Sequence, residues 1–330
     1  MPKTSTDPIR HALNGPTMGT RWSALFHADA GLDPAPVQAA LQAAVTDVDA
    51  RMSTWKPDSD LMRLNRTPEG VRVIVPAGLA EVLVLGLRIG TASGGAFDIG
   101  MGDAARAWGF GSEPANAEAM RAAMVTARRP AQEALEVDPL AGLARKHAPI
   151  ALDLNGIAKG HGVDRLAKTL QGFGITAFLV GIDGEMRASG LRPDGMPWTV
   201  AVEMPDPERR APHSILKLAD AAVATSGDYR HYVTLRGRRL SHTMDPTTGG
   251  PLRSSPASVT VVARTCAEAD AWATALMVLG PQAGGELASR LGLHALFLIR
   301  EAGVIRTHAV GALFDSPMVS AAGREGLVRA

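Results

Sequence analysis

The sequence predicts a mixed α/β protein, of the α+β kind in which sheets and flanking helices alternate irregularly along the chain. Three observations predict it. Apolar residues recur at helical spacing in several windows of ten or more residues. Period-two strands gather in the second half. No repeat, low-complexity tract or long linker divides the 330 residues. A hydrophobic fraction of 46% and a charged fraction of 20% suit a globular core, and the length suffices to bury one.

Taken in order, residues 1–16 read as a flexible N-terminal segment and 17–330 as one domain. TMGTRWSALF (17–26) starts with a glycine turn and runs into a strand. Val37, Leu41, Val45, Val48 and Met52 share one face of a helix over 36–52, with Asp33-Pro34 suited to its start. MSTWKPDSDLMRLN (52–65) is polar around a central proline and reads as an ordered loop. A buried helix is expected over 78–92, a Gly-rich loop at SGGAFDIGMG (93–102) and an Ala-rich helix over 114–128. APIALDL (148–154) reads as a strand leading into a helix over 157–171, whose apolar face holds Val163, Leu166, Ala167 and Leu170. Strands are expected at 175–182, 198–204 and 257–263. YVTLRGRRLS (232–241) reads as a hairpin turning at Arg236-Gly237. A helix over 266–279 and a closing hairpin around Glu301-Ala302-Gly303 end the pattern.

The bulk numbers exclude some functions. A formal net charge of +1 argues against a nucleic-acid partner. The single cysteine, Cys266, can form neither an internal disulfide nor a Cys-rich metal site. It lies in an apolar helix and reads as a buried thiol. No apolar run is long enough to span a bilayer, so no transmembrane segment is expected. The first residues lack the apolar core of a signal peptide. The expected compartment is cytoplasmic, or periplasmic if a leader has been removed.

Several motifs could carry chemistry. In LDLNGIAKG (152–160) a strand delivers Asp153, a glycine follows, and a helix opens with Lys159 in its first turn. A helix N-terminus offers free N–H groups to phosphate. A lysine placed there works against the helix dipole and calls for an anionic partner. The plainer alternative is Asp153 as a cap and Lys159 in solvent. SHTMDPTTGGPL (241–252) sets Asp245 and Thr248 three residues apart on a tight loop. Both are hard oxygen donors suited to Mg²⁺, and His242 nearby suits a general base. An ordinary type I turn would use the same residues. SGGAFD allows close backbone approach to a ligand beside Phe97 and Asp98. Trp55, alone in a polar loop, could stack on a flat ring or lie as a lid on the core. VATSGDYR clusters Ser226, Asp228, Tyr229 and Arg230 before a hairpin.

Each motif is common; their order is not. MGT, MSTWKPDSDLMRLN, SGGAFD with WGFG, LDLNGIAKGHGVDRLAK, DGEMRASG, VATSGDYR, SHTMDPTTGGP and the helix EADAWATALMVLG follow one another over residues 17–300. In this the chain resembles the FAD:protein FMN transferase family, also called the ApbE family. The resemblance implies mixed sheets with flanking helices around an FAD cleft, and Mg²⁺ at the FAD pyrophosphate. The implied reaction moves FMN from FAD to a Thr or Ser hydroxyl of an acceptor flavoprotein through a phosphoester bond, releasing AMP. An FAD pyrophosphatase and a non-catalytic FAD-binding protein are the alternatives.

Carried over by motif, Met18, Trp55, Ala96, Phe97, Asp98, Asp153 and Lys159 would line the FAD site. The Gly156 carbonyl, Asp245 and Thr248 would hold Mg²⁺, and His242 or Asp245 would take the hydroxyl proton. The chain departs from the family pattern in having Ile99-Gly100-Met101-Gly102 after Phe-Asp, Asn155-Gly156 before Ile-Ala-Lys-Gly, and Gly181-Ile182-Asp183-Gly184-Glu185 at its acidic hairpin.

Overall fold

The computed structural model describes residues 8–230, 232–235, 238–252 and 256–315. The chain opens with a hairpin, β1 (Ile9–Thr17) and β2 (Thr20–Ala28), then α1 (Pro34–Met52), α2 (Asp60–Arg66), β3 (Arg72–Ile74) and α3 (Ala77–Ala92). Next come α4 (Gly102–Ala107), α5 (Ala117–Val125), α6 (Ala131–Ala134), β4 (Leu135–Asp138) and β5 (Leu143–Lys146). The segment that matters most follows: α7 (Ala158–Gly172), β6 (Phe178–Ile182), β7 (Glu185–Ser189), β8 (Trp198–Glu203), β9 (Pro212–Leu218) and β10 (Ala222–Gly227). Short pairs β11 (Tyr232–Leu235) with β12 (Arg238–Ser241) and β13 (Met244–Asp245) with β14 (Gly250–Pro251) lead to β15 (Ser258–Ala263). The described chain ends with α8 (Cys266–Leu291), β16 (His294–Glu301), β17 (Val304–Val310) and α9 (Ala312–Asp315).

Eight strands form one sheet in the order β1-β2-β6-β7-β10-β15-β16-β17, antiparallel throughout. Its two faces bury different partners, as alternating side chains require. On one face α1 and α7 pack Val37, Leu41, Val45, Val163, Leu166 and Leu170 against Trp22, Phe26, Phe178 and Val180. Beside them α3 and α8 cover Val259, Val261 and Phe297. On the other face the β8–β9 hairpin lays Trp198, Val200, Val202, Leu216 and Leu218 over Val223, Val262, Leu296 and Leu298. A fourth cluster joins Met101, Ala104 and Trp108 to Met120, Ala123 and Met244, and so fixes the α4–α5 pair to β13. No helix among the described residues is long and apolar enough to cross a membrane.

Asp33 caps α1 as expected, accepting from Ala35 N, with Pro34 at the first turn. Cys266 is buried, and burial pushes its thiol well up. Three expectations change. Residues 9–16, read as flexible lead-in, form most of β1, because each residue of Ile9–Thr17 has a partner in β2. The 52–65 loop contains α2: Ser59 accepts from Met62 N, and Leu61 and Leu64 are fully buried. Residues 148–154 form no strand; a lone bridge from Ala151 to Met101 holds them. The turn at Arg236-Gly237 lies outside the described residues.

Candidate active site

The site grows from the point where α7 meets α8. Leu152, Leu154 and Ile157 are buried and anchor the loop that enters α7. Between them Gly156 lies so close to α8 that a Cβ there would sit 3.1 Å from Thr274 Oγ1 and 3.2 Å from Phe97 Cε2. One turn on, a Cβ at Gly160 would sit 2.4 Å from the Cys266 carbonyl oxygen, so only glycine permits this helix contact. The Gly160 N–H donates to Asp270 Oδ2 at 3.0 Å. In a continuous helical ladder it would return to Gly156. No backbone hydrogen bond among the described residues ends on the Gly156 carbonyl. Asp270 and Thr274 are four residues apart in α8 and therefore share a face. A carbonyl, a carboxylate and a hydroxyl thus gather where the helices touch. Behind them Thr274 Oγ1 and Ser226 Oγ, at the end of β10, are 3.0 Å apart.

The electrostatics are concentrated there. Lys159 Nζ lies 2.7 Å from Glu185 Oε1 and 3.7 Å from Asp183 Oδ2. Both acids come from the tight β6–β7 hairpin, whose turn residues Asp183 (φ 53°) and Gly184 (φ 113°) are left-handed. Burial works against the charge on Lys159, but Glu185, Asp270 and Asp183 outweigh it and hold the ammonium above its ordinary range. Burial and then Glu185 push the Asp270 carboxyl up to about 7, against the pull of Lys159 and the Gly160 N–H. Glu185 is 3% exposed, and its Oε2 has no partner among the described residues. Burial raises its carboxyl too, with Lys159 opposing.

The anionic partner that Lys159 called for is therefore present in the protein itself. The helix N-terminus is also largely occupied. Ile157 N and Ala158 N both donate to the Leu154 carbonyl, and Gly160 N to Asp270. Most of the expected cradle of free amides is therefore taken by the chain itself.

Other expected residues take varied places. Phe97 packs beside Gly156, next to a buried Ala96. Asp98 accepts from Gly100 N at 2.7 Å and Ala131 N at 3.1 Å, with burial pushing its carboxyl up, so it ties the Gly-rich loop to α6. Asp153 accepts from Asn155 N and Nδ2, at 2.7 and 3.1 Å, and burial raises it as well. The helix cap itself is Ile157. Met18 turns the β1–β2 hairpin at φ 43° and brings its Cε within 3.0 Å of a Cβ built on Gly162 of α7. Trp55 is 61% exposed, so the lid reading fails and its ring is open for stacking.

The SHTMDPTTGG loop makes its own set of bonds. Asp245 Oδ1 accepts from Thr247 N at 2.9 Å and Thr247 Oγ1 at 2.7 Å, and Oδ2 from Thr248 Oγ1 at 3.0 Å. Gly249, at φ 64°, is pressed on Ala123, and its carbonyl accepts from Trp108 Nε1 at 3.2 Å. His242 meets the ring of Phe110 edge-on, centroids 6.3 Å apart. The loop is moored to α4 and α5, whereas Gly156 is moored to α8. Of the residues expected to hold a metal, Gly156 keeps company with Asp270 and Thr274, while the lone pairs of Asp245 serve its own turn. Sequence reasoning missed Asp270 and Thr274. Their one signal was an acid, Asp270, set among alanines in a largely apolar stretch, four residues before a threonine.

Fold and site together define the class: a mixed α/β protein with an oxygen-donor site, rich in acids, where two helices meet the end of an antiparallel sheet. The chain belongs to the ApbE family, whose model matches residues 18–297. It is 36% identical to the FAD:protein FMN transferase of Vibrio cholerae serotype O1 over 291 residues, 87% of each chain. It is 35% identical to that of Salmonella typhimurium over 312 residues, 91% of this chain and 87% of the other. Among solved structures, the flavin transferase ApbE from Vibrio cholerae superposes with a TM-score of 0.81 at 33% identity, covering 92% of this chain and 97% of that one. The apo flavinyl transferase ApbE of Pseudomonas stutzeri gives 0.80 at 35% identity, covering 92% and 95%. The family and fold expected from the motif order are borne out.

Proposed function

We propose that this chain is an FAD:protein FMN transferase, which moves the FMN half of FAD onto a Thr or Ser hydroxyl of an acceptor protein. One observation carries the reading. Relatives bearing that name align at about 35% identity over most of both chains.

The reaction exchanges the phosphoanhydride bond of FAD for a phosphoester. The acceptor oxygen bonds to the phosphorus nearest riboflavin, the bond from that phosphorus to the bridging oxygen breaks, AMP leaves with the bridging oxygen, and the hydroxyl proton passes to a base. Such transfers depend on positioning and charge. The donor set at the helix contact fits Mg²⁺: one carboxylate (Asp270), one hydroxyl (Thr274) and a carbonyl outside the helical ladder (Gly156), leaving room for water and phosphate oxygens. Mg²⁺ held there would polarise the pyrophosphate and offset charge on the departing AMP. Lys159 stays charged beside it, fixed by Glu185, and adds a cation on the same side. Trp55 offers a flat exposed face to a ring of FAD. His242 supplies an imidazole suited to taking the hydroxyl proton, positioned by Phe110 at the neighbouring loop.

The test is incubation with FAD, with and without Mg²⁺ and with an acceptor peptide carrying a threonine. Free AMP and FMN are separated by chromatography and the peptide is weighed by mass spectrometry. The expected result is Mg²⁺-dependent AMP release with FMN mass on the peptide. AMP and free FMN regardless of peptide would make the protein a pyrophosphatase, and intact FAD in every arm would leave a binding protein.

A further inference from the structure

We propose that Ser226 is a positioning residue for the metal: it takes the hydroxyl proton of Thr274 and so turns the Thr274 lone pairs toward the ion. This rests on the reading that Gly156, Asp270 and Thr274 hold Mg²⁺.

The starting point is what threonine does in helices. Its Oγ1 commonly donates to the carbonyl one turn back, and that bond fixes the rotamer. This molecule follows the habit repeatedly. Thr91 and Thr169, inside helices, donate to Leu87 and Arg165 at 3.1 and 2.9 Å. Thr67 and Thr126, at helix ends, donate to Arg63 and Ala122 at 2.9 and 2.7 Å. Thr274 departs from it. Its Oγ1 lies 3.0 Å from Ser226 Oγ, across the gap between α8 and the sheet, and no hydrogen bond to the Asp270 carbonyl is formed. The hydroxyl has been drawn off its own helix.

A neutral hydroxyl can serve a metal only through a lone pair, so its hydrogen must be placed elsewhere. Were it placed on the helix, as at Thr91, the oxygen would be turned along the backbone instead of across to Gly156. Ser226 provides the alternative acceptor, and the sheet fixes where it stands. Ser226 is paired with Val259 of β15, while its neighbour Thr225 points to the opposite face and bonds Thr260 at 2.8 Å. The strand therefore has a hydroxyl on each face, one committed to its own sheet and one to α8. Outer groups of this kind orient a ligand, and their removal typically costs about 10–100-fold in metal affinity.

The experiment titrates Mn²⁺, as a spectroscopic stand-in for Mg²⁺, onto the whole chain with ADP present. Free and bound ion are read by electron paramagnetic resonance. Variants are Ser226→Ala, Ser226→Thr, Thr274→Val and the Ser226→Ala/Thr274→Val pair. Ser226→Ala is expected to weaken Mn²⁺ binding about 10–100-fold, Ser226→Thr to restore it, and the pair to bind no more weakly than Thr274→Val alone. The Mg²⁺ concentration for half-maximal FAD cleavage should rise by the same factor in Ser226→Ala. Wild-type affinity in Ser226→Ala, alongside a loss in Thr274→Val, would overturn the proposal and leave the metal reading standing. Wild-type affinity in Thr274→Val would overturn both. If Ser226→Ala unfolds, Ser226→Cys keeps the volume with a weak acceptor and answers the same question.

Discussion

Two places in this molecule, a turn and a helix, present a carboxylate and a threonine hydroxyl at close spacing, and they use them oppositely. At Asp245 the turn feeds itself: three donors from Thr247 and Thr248 occupy both carboxylate oxygens. At Asp270 the donors come from elsewhere in the chain, and a single amide from α7 reaches the carboxylate. Asp270 is 5% exposed beside Glu185 and Lys159, whereas the Asp245 turn is partly open to solvent. A carboxylate satisfied by its own turn defines the shape of a loop. A carboxylate buried among charges with capacity to spare can accept a cation.

The sharpest way to break this contrast is to neutralise each acid. Asp270→Asn is expected to lower Mg²⁺-dependent AMP release about 10²–10³-fold, the scale for losing one preorganised electrostatic group. Asp245→Asn removes turn hydrogen bonds and is expected to cost about 1 kcal/mol, less than roughly tenfold in rate. Equal losses would mean that the SHTMDPTTGG loop holds the metal after all. Next in size, Lys159→Met leaves Glu185 buried without its counter-ion. A loss of about 3–5 kcal/mol of stability in urea denaturation is expected, and Glu185→Gln on top should recover part of it. A loss under about 1 kcal/mol would show that water reaches Glu185.

The back of α7 sharpens the comparison by pH. Burial, then Arg165, brings the buried His161 down to about 4, with Asp47 opposing. The unfolded chain takes up a proton near pH 6.5, before the folded one does. Its contribution is therefore complete above pH 6.5 and is lost as the pH falls toward 4, about 3 kcal/mol in all. His161→Gln should flatten the urea midpoint between pH 7 and 4.5; an unchanged slope would assign the acid sensitivity to other groups. The smallest effect is at the self-contained turn. Thr247→Ala deletes one hydroxyl bond to Asp245 and should lower the thermal midpoint by about 1–2 °C while AMP release stays near wild type.

Much of this was legible because local physics agreed with the fold. Periodicity and a cap announce α1, and Ala302 and Gly303 both adopt the left-handed turn conformation between β16 and β17 that the glycine signalled. What escaped was non-local. The helix α2 hides in a polar, proline-bearing stretch, since Leu61 and Leu64 alone face inward. β1 is defined by its partner more than by its own pattern, with only Gly15 and Thr17 fully covered. At the site, Gly156 and Lys159 were visible from a strand-turn-helix motif. Asp270 and Thr274 lie in a helix that reads as plain core, and only the approach of α7 makes them polar equipment. Asp245 and Thr248 drew notice because adjacent donors are easy to see in one dimension, although in space they face each other.

The hydrogen bond from Gly160 to Asp270 joins residues 110 apart in sequence. Closing so long a loop is among the slow events of folding, because its entropy must be lost before the contact gives anything back. A nascent chain that has produced α7 and the acidic hairpin but not yet α8 holds Lys159 and Glu185 and lacks both Asp270 and Thr274. A chain interrupted anywhere before α8 would therefore leave the ribosome without the carboxylate and hydroxyl proposed to hold the metal.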